Sequence, residues 1–202
     1  SLPRHPPVLH RWFTINADPS VWLSKRLTYS RSQALWCMLG YIVGLGDRHG
    51  ENILLDTESG RMVHVDFDCL FGKGMLLERP ETVPFRLTQN CVSAMGITGV
   101  EGVFRRSCEL CMEVLRDRAN QQTLLSVLHA FIADPLIEWT ARQQKDRHDE
   151  ERGIQQARNT IGDVEKKLNG MLNVGAVVKS KAQHDSESVI SPEERGRGLL
   201  GR

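Results

Sequence analysis

Apolar residues cover nearly every side of the segment from residue 34 to residue 45, a pattern that predicts a buried helix. Ser30 or Ser32 can cap its first turn. Gly44 and Gly46 follow the last apolar positions and end the helix, because glycine readily adopts the left-handed conformation that closes helices. A separate, shorter helix is predicted before it, over residues 18–28, where an aspartate and a proline stand at the start.

Two short apolar runs then flank a turn-prone stretch, a pattern typical of a β-hairpin. The runs are residues 52–56 and 61–67, and the residues between them are Thr, Glu, Ser and Gly. If the residues that flank the turn pair with each other, Asn52 lies opposite Val65. This register makes Asp66 a near neighbour of Asn52.

The chain after the hairpin is predicted to be a loop followed by helices. Residues 68–88 are rich in Gly and Pro and have no clear period, and a loop of 21 residues indicates a function. Apolar residues recur every three or four positions over residues 98–118, which predicts a helix. Asn120 is a candidate cap for the next helix, and Asp134 with Pro135 marks the start of another.

Composition divides the chain into three parts. All twelve aromatic residues lie between Trp12 and Trp139, so the core is expected within residues 1–140. Residues 141–172 combine many charges with apolar residues at heptad spacing, which predicts an amphipathic helical extension that seeks a partner, such as a short coiled coil. Residues 173–202 have the mixed polar composition of a flexible tail.

The charge balance gives no indication that this chain binds a polyanionic partner by electrostatic attraction. Lys and Arg number 26 against 25 Asp and Glu, a net charge of +1, so neither a direct nucleic-acid site nor a membrane surface is indicated. The longest apolar stretch has 12 residues, well short of the roughly 20 that span a bilayer. Five cysteines without paired spacing, and no secretory signal, favour a reducing intracellular compartment.

The polar residues after the buried helix have the chemistry of phosphoryl transfer. Asp47 and His49 stand in a glycine-rich turn, while the hairpin brings Asn52 and Asp66 together. Amide and carboxylate oxygens suit Mg²⁺, which also binds substrate phosphates. Asp47 could orient an attacking hydroxyl, and His49 could take a proton or stabilise phosphate charge. The alternative is purely structural: Asp47 and Arg48 form an ion pair in the loop, Asn52 caps a strand, and His49 is a surface histidine.

These motifs resemble those of the phosphoinositide-3-kinase-related kinases. The catalytic loop of that family, Gly-Asp-Arg-His-x-x-Asn, is intact at residues 46–52, and its metal segment, Val/Ile-Asp-Phe, is intact at residues 65–67. The resemblance extends over residues 6–140. Segments that resemble the DNA-damage checkpoint branch of the family are residues 44–54, 64–67, 69–71, 83–88 and 101–106.

The resemblance implies an α+β fold, the C-terminal lobe of a protein-kinase-like domain, mainly helical with a small β-hairpin at the catalytic cleft. It implies that Asp47 and His49 are catalytic and that Asn52 and Asp66 hold Mg²⁺ or Mn²⁺. Which of the first two acts as the base stays open.

The resemblance also implies that Leu54 and Val65 form the floor of an adenine pocket for ATP, although periodicity alone favours core packing for both. It implies phosphorylation of protein Ser or Thr before Gln, in DNA-damage signalling in the nucleus, with a regulatory partner protein. A phosphoinositide substrate is disfavoured, because residues 68–84 contain only Lys73 and Arg79 to neutralise an inositol phosphate.

The resemblance aligns this chain with the larger kinase lobe only. No phosphate-covering Gly-rich loop, strand lysine or partner glutamate precedes residue 46, and the aromatic C-terminal module of the family has no match. We therefore expect a fragment or an incomplete gene product that is inactive alone. A non-catalytic interaction fragment is the rival interpretation.

Three other features have ordinary structural interpretations. Cys108 and Cys111 have the spacing of a metal motif but no second pair, which favours core packing. His64 is expected to be a hydrogen-bonded structural histidine. Arg105 and Arg106 are expected on a solvated helix face, with local ion pairs.

Overall fold

The structure is a computed structural model that describes residues 6–15, 18–132 and 159–171 of the 202-residue chain. The described part is mostly helical, with one two-stranded antiparallel sheet. The helices are α1 (Leu9–Ile15), α2 (Pro19–Val43), α3 (Gln89–Ala94), α4 (Val103–Arg116), α5 (Arg118–Ile132) and α6 (residues 159–168). The strands are β1 (Ile53–Leu55) and β2 (Met62–His64), and a short 3₁₀ helix spans Lys73–Leu76. The chain divides into two compact units, residues 1–170 and 171–202, and all these elements lie in the first.

Helix α2 is one continuous helix, so the prediction of two helices was wrong. Its predicted start is confirmed, because the Asp18 carboxylate accepts a hydrogen bond from the backbone N–H two residues on, at 2.9 Å. The serines expected to cap a second helix lie inside the first. Their hydroxyls donate to backbone carbonyls four residues back, Ser30 to Arg26 and Ser32 to Thr28. This bonding lets serine remain within a helix.

The main core lies around the middle of α2. Its buried members come from four helices, strand β2 and the turn after α3: Phe13, Tyr29, Ala34, Cys37, Met62, Ala94, Met95 and Phe104. The Tyr29 hydroxyl donates to the Cys91 carbonyl at 3.1 Å, which satisfies a polar group inside this core. The sequence predicted a helix buried on all sides. In the structure one side of α2 is open to solvent, since Leu35 is 50% exposed.

Helices α4 and α5 differ from prediction at their first turns. Residues 98–102 form turns, so α4 begins at residue 103, and its apolar stripe packs against α2. Helix α5 begins before Asn120, whose amide donates to the Val114 carbonyl at 3.0 Å. The capping contact is made by Asp117, whose carboxylate accepts a hydrogen bond from the Ala119 N–H at 3.2 Å.

The ordinary interpretations of the α4 side chains hold. Cys108 and Cys111 are unpaired, half-buried thiols, and burial raises the pKa of Cys108 to about 11. Within the described ranges, no group of three His, Cys, Asp or Glu side chains is arranged to hold a metal ion. Arg105 forms ion pairs with Glu101 and Glu109 on an exposed helix face.

Helix α6 lies within the segment predicted to be an amphipathic extension, and its apolar residues face inward. Ile161, Val164 and Leu168 are buried, and the last two pack in a cluster with Ile42 of α2 and Leu128 of α5. The apolar face of α6 therefore packs against α2 and α5 of the same chain. The remaining predictions for residues 133–158 and 172–202, including the helix after Pro135 and the tail, lie outside the described residues. Of the helices described, none is long and apolar enough to cross a bilayer.

Candidate active site

The hairpin has the predicted register. Leu54 pairs with Val63 in the ladder, and beyond it the Val65 N–H donates to the Asn52 carbonyl at 3.0 Å. Both strands are shorter than predicted. One cause is the backbone of Asp66, whose φ of 60° lies in the left-handed region and takes the chain out of the extended conformation. Asn52 thus lies beside Val65 as expected.

The 44–52 loop, between α2 and β1, holds Asp47 by its backbone. The N–H of Asp47 donates to the Glu81 carboxylate at 2.9 Å, and its carbonyl accepts from the Asn52 side-chain amide at 2.8 Å. Asp47 has a φ of 56°, an unusual conformation for a residue other than glycine and one that clusters at functional sites. None of the described residues donates a hydrogen bond to its carboxylate.

Arg48 joins this loop to the segment after β2. Its buried guanidinium donates to the Gly46 carbonyl at 2.8 Å and to the Val65 carbonyl at 2.7 Å. A third hydrogen bond reaches the Asp66 carbonyl. The planar guanidinium can make all three bonds at once, so the residues on either side of it keep one relative position.

We expect Arg48→Met to destabilise the chain by about 3 kcal/mol, because three carbonyls lose their donor, some in a buried site. Urea unfolding of the 202-residue chain measures this change. Arg48→Lys restores the charge without the planar fork, so only part of the stability should return. Arg105→Met is the matched control, since its ion pairs lie in solvent, and a loss equal to that of Arg48→Met would contradict this role.

Glu81 anchors the 68–88 loop to the 44–52 loop. Besides its bond to Asp47, its own N–H donates to the Gly74 carbonyl at 3.1 Å. Its carboxylate fills a space where a Cβ on Gly74 would lie 2.0 Å away and a Cβ on Gly46 would lie 2.6 Å away. Sequence reasoning missed Glu81 and Arg48 as site residues. Their partners are mostly backbone atoms in other segments, which no local pattern reveals.

Asn52 and Asp66 offer oxygen ligands of the kind that Mg²⁺ prefers. The Asn52 amide nitrogen is committed to Asp47, so the amide oxygen is the end that can face a cation. Asp66 is exposed, and one carboxylate oxygen accepts the Asp68 N–H at 3.2 Å. These residues fit a metal that takes few protein ligands and completes its shell with water and phosphate oxygens.

His49 lies at the exposed edge of the loop. Its Nδ1 accepts a hydrogen bond from the Glu51 N–H at 3.2 Å, so in the neutral ring the proton is on Nε2. The side chain is 48% exposed, and Nε2 can therefore reach a ligand.

Leu54 and Val65 lie on one face of the hairpin, because Leu54 pairs with Val63 across the ladder and side chains two residues apart along a strand share a face. Core packing of Leu54 is wrong, since 48% of the residue is exposed, and Val65 is half-buried. Val63, also exposed, lies between them on this face. The hairpin thus presents an apolar surface next to the 44–52 loop.

His64 projects to the other face and packs in the interior. Its ring stacks on Trp36 with centroids 4.6 Å apart and planes 3° from parallel. The residue is 8% exposed, and neither ring nitrogen has a hydrogen-bond partner among the described residues, so the expected hydrogen-bonded histidine was wrong. Burial, and secondly the positive charge of Arg48, lower the pKa of His64 from 6.5 to about 4.

The lowered pKa of His64 predicts a loss of stability in acid. The neutral ring is favoured in the folded state, so stability is full above pH 6.5 and falls as the pH approaches 4. The full shift corresponds to about 3 kcal/mol. Denaturant unfolding at a series of pH values measures the slope. In His64→Phe, which keeps an aromatic ring against Trp36, this part of the slope should vanish; an unchanged slope would contradict the assignment.

Comparison with known proteins identifies the family of this chain. The family described as "Phosphatidylinositol 3- and 4-kinase" matches residues 1–141. The serine/threonine-protein kinase ATR of Arabidopsis thaliana is 46% identical over 97% of this chain and 7% of its own length. Protein kinase rad3 of Schizosaccharomyces pombe is 41% identical over 99% of this chain and 8% of its own length. The chain therefore spans less than a tenth of these curated relatives.

A solved structure shows the same fold. The structure titled "FAT and kinase domain of CtTel1" superposes with a TM-score of 0.69 and is 39% identical, covering 87% of this chain and 12% of that one. Its similarity agrees with a kinase-like arrangement of the helices and the small sheet. The resemblance inferred from residues 46–52 and 65–67 is confirmed, and the chain belongs to the phosphatidylinositol 3- and 4-kinase family, among the relatives of the ATR-type protein kinases.

Proposed function

We propose that this chain forms the larger lobe of a Ser/Thr protein kinase that transfers the γ-phosphate of ATP to protein hydroxyls. The relatives that carry the names ATR and rad3 support this activity, and a role in DNA-damage checkpoint signalling in the nucleus comes with the same proposal. Serine or threonine followed by glutamine is the proposed target, and a regulatory partner protein is expected.

The observation that carries the proposal is the set of hydrogen bonds by which Arg48 links two segments of the site. One guanidinium binds the loop that contains Asp47 and the segment that contains Asp66. Asn52 contacts both segments as well: its side-chain amide donates to the Asp47 carbonyl, and its backbone carbonyl accepts the Val65 N–H. Phosphoryl transfer depends mainly on positioning and on charge stabilisation, and these contacts provide positioning.

The proposed roles follow from the placement of each side chain. Asn52 and Asp66 would hold Mg²⁺, which neutralises the charge on the phosphates of ATP when it is bound. The Asp47 carboxylate would accept a hydrogen bond from the substrate hydroxyl and orient it. His49 would contribute a proton site at Nε2, and the apolar hairpin face of Leu54 and Val65 would pack against adenine.

A protein substrate remains favoured over an inositol phosphate. Lys73 is one of the two basic residues in the 68–84 segment, and its ammonium lies 3.4 Å from the Asp68 carbonyl. Glu81 occupies the interior of the same loop with a carboxylate. A loop with this composition would repel a polyanionic headgroup rather than neutralise it.

A chimeric kinase tests the proposal. In the Arabidopsis relative, this chain replaces the matching segment, to which it is 46% identical. With Mg²⁺-ATP, the chimera should phosphorylate a Ser-Gln peptide and transfer less phosphate to a Ser-Ala peptide and to phosphatidylinositol. Transfer to the lipid alone would contradict the protein-kinase proposal, and no transfer to any substrate would support the interaction-fragment alternative. The 202-residue chain alone should show no transfer, because the groups of a smaller lobe are missing from the assay.

A further inference from the structure

Helix α6 packs against the end of α2 that leads into the 44–52 loop. Val164 and Leu168 are 2% and 1% exposed, and they share a cluster with Ile42, one residue before the end of α2. This contact joins segments that are more than 100 residues apart in the chain. The apolar contact alone explains why α6 binds the lobe, but it does not explain the polar residue between these side chains.

That polar residue is Lys167. Its ammonium donates to the Tyr41 carbonyl at 2.7 Å and lies 3.5 Å from the Ile42 carbonyl. It also lies over the Tyr41 ring, 5.1 Å from the centroid. Burial lowers the pKa of Lys167, while Asp163 has the opposite effect. These two carbonyls therefore hold the otherwise flexible Lys167 side chain in place.

The carbonyls in the last turn of a helix lack hydrogen-bond donors inside the helix. In α2, three other segments supply these donors. The Gly40 carbonyl accepts the N–H groups of Gly44 and Leu45. The Val43 carbonyl accepts the Phe71 N–H at 3.0 Å. Lys167 supplies the donor for Tyr41 between them. A positive charge is also favourable at this end of the helix, where the macrodipole is negative.

We infer that Lys167 is a positioning residue for the catalytic loop: by closing the last turn of α2 from helix α6, it sets the place from which the 44–52 loop begins. The inference rests on the proposed function of that loop. Leu45, Gly46 and Asp47 follow within a few residues of the bonded carbonyls, and Asp47 is the proposed catalytic residue. An error in the direction of the last turn would move its carboxylate directly.

A purely structural role for Lys167 would have a different consequence. Its carbon stem covers apolar surface, and losing that packing would weaken the whole lobe to the same degree everywhere. A positioning role is local, because it acts on the turn that contains the bonded carbonyls. The two roles therefore differ in which backbone amides become exposed to solvent.

Amide hydrogen exchange of the 202-residue chain separates these roles. The amides of Leu45, Gly46 and Asp47 are hydrogen-bonded, to the Gly40 carbonyl, the Cys69 carbonyl and the Glu81 carboxylate, and we expect them to exchange slowly. Lys167→Met keeps most of the stem and removes the charge. We expect it to speed exchange of these three amides about tenfold, with amides in the middle of α2 unchanged.

Two variants control for other effects. Lys167→Arg can donate to the same carbonyls and should restore slow exchange. Lys166→Met removes the neighbouring ammonium, which is exposed and pairs with Asp163 at 3.0 Å, and should change nothing at the loop. Uniform acceleration throughout the lobe, or no acceleration at the three amides in Lys167→Met, would overturn the inference.

The chimeric kinase connects the exchange result to catalysis. There, Lys167→Met should lower kcat about tenfold with the peptide KM unchanged, because a misplaced Asp47 slows the reaction without removing a substrate contact. An unchanged kcat would overturn the positioning role. If the chimera with Lys167 intact transfers no phosphate, the proposed function fails, whereas the exchange experiment still decides whether Lys167 orders the loop.

Discussion

Asp66→Asn in the chimeric kinase should lower kcat at least about 10³-fold, because it removes the charge of a proposed metal ligand at the phosphates. Asparagine is the right replacement, since it keeps the shape and tolerates the left-handed backbone found at residue 66. The KM for Mg²⁺-ATP should rise as well. The assay is initial-rate phosphorylation of a Ser-Gln peptide over a range of ATP concentrations.

Asp47→Asn should also lower kcat, by about 10²- to 10⁴-fold, but with the KM for ATP nearly unchanged. This difference follows from the proposed roles, one at the hydroxyl and one at the metal. Glu58→Ala is the control, an exposed carboxylate in the turn of the same hairpin, and it should retain full activity. Near-normal rates in both aspartate variants would show that the chemistry takes place elsewhere.

Gly44→Ala should destabilise the 202-residue chain by about 3 kcal/mol, a large part of the stability of a domain of this size. Gly44 ends α2 with a φ of 65°, a conformation that favours glycine. A Cβ there would also lie 2.6 Å from the backbone nitrogen of Gly72. That nitrogen cannot move away freely, because it donates to the Gly44 carbonyl at 2.8 Å.

Gly50→Ala provides the comparison for this prediction. Gly50 belongs to the same loop, yet a Cβ built on it has no heavy atom within 4 Å, so its unfolding free energy should change little. Thermal and urea unfolding followed by circular dichroism measure both variants. Equal effects at the two glycines would contradict the close approach of the loops at Gly44.

Sequence patterns predicted the local features of the site well. The register of the hairpin followed from its turn residues, and the start and end of α2 followed from Asp18 with Pro19 and from Gly44. These features depend on a few neighbouring residues with strong conformational preferences. The family followed in the same way, from two short motifs at a fixed spacing.

The features that sequence patterns did not predict depend on distant partners. Arg48 and Glu81 look like ordinary charged loop residues until the fold places backbone atoms of other segments beside them. Leu54 was predicted as core on periodicity, because an exposed apolar face has the same alternation as a buried one. Lys167 stands in a run of charges, and only the packing of α6 distinguishes it from Lys166.

The position of the metal ion tests the central claim most directly. Crystals of the chimeric kinase with Mn²⁺ and a non-hydrolysable ATP analogue would locate the ion by its anomalous scattering. We predict one Mn²⁺ bound by the Asn52 side-chain oxygen and the Asp66 carboxylate, at about 2.1 Å from each. An ion bound by other residues, or these two side chains too far apart to share one ion, would contradict the account.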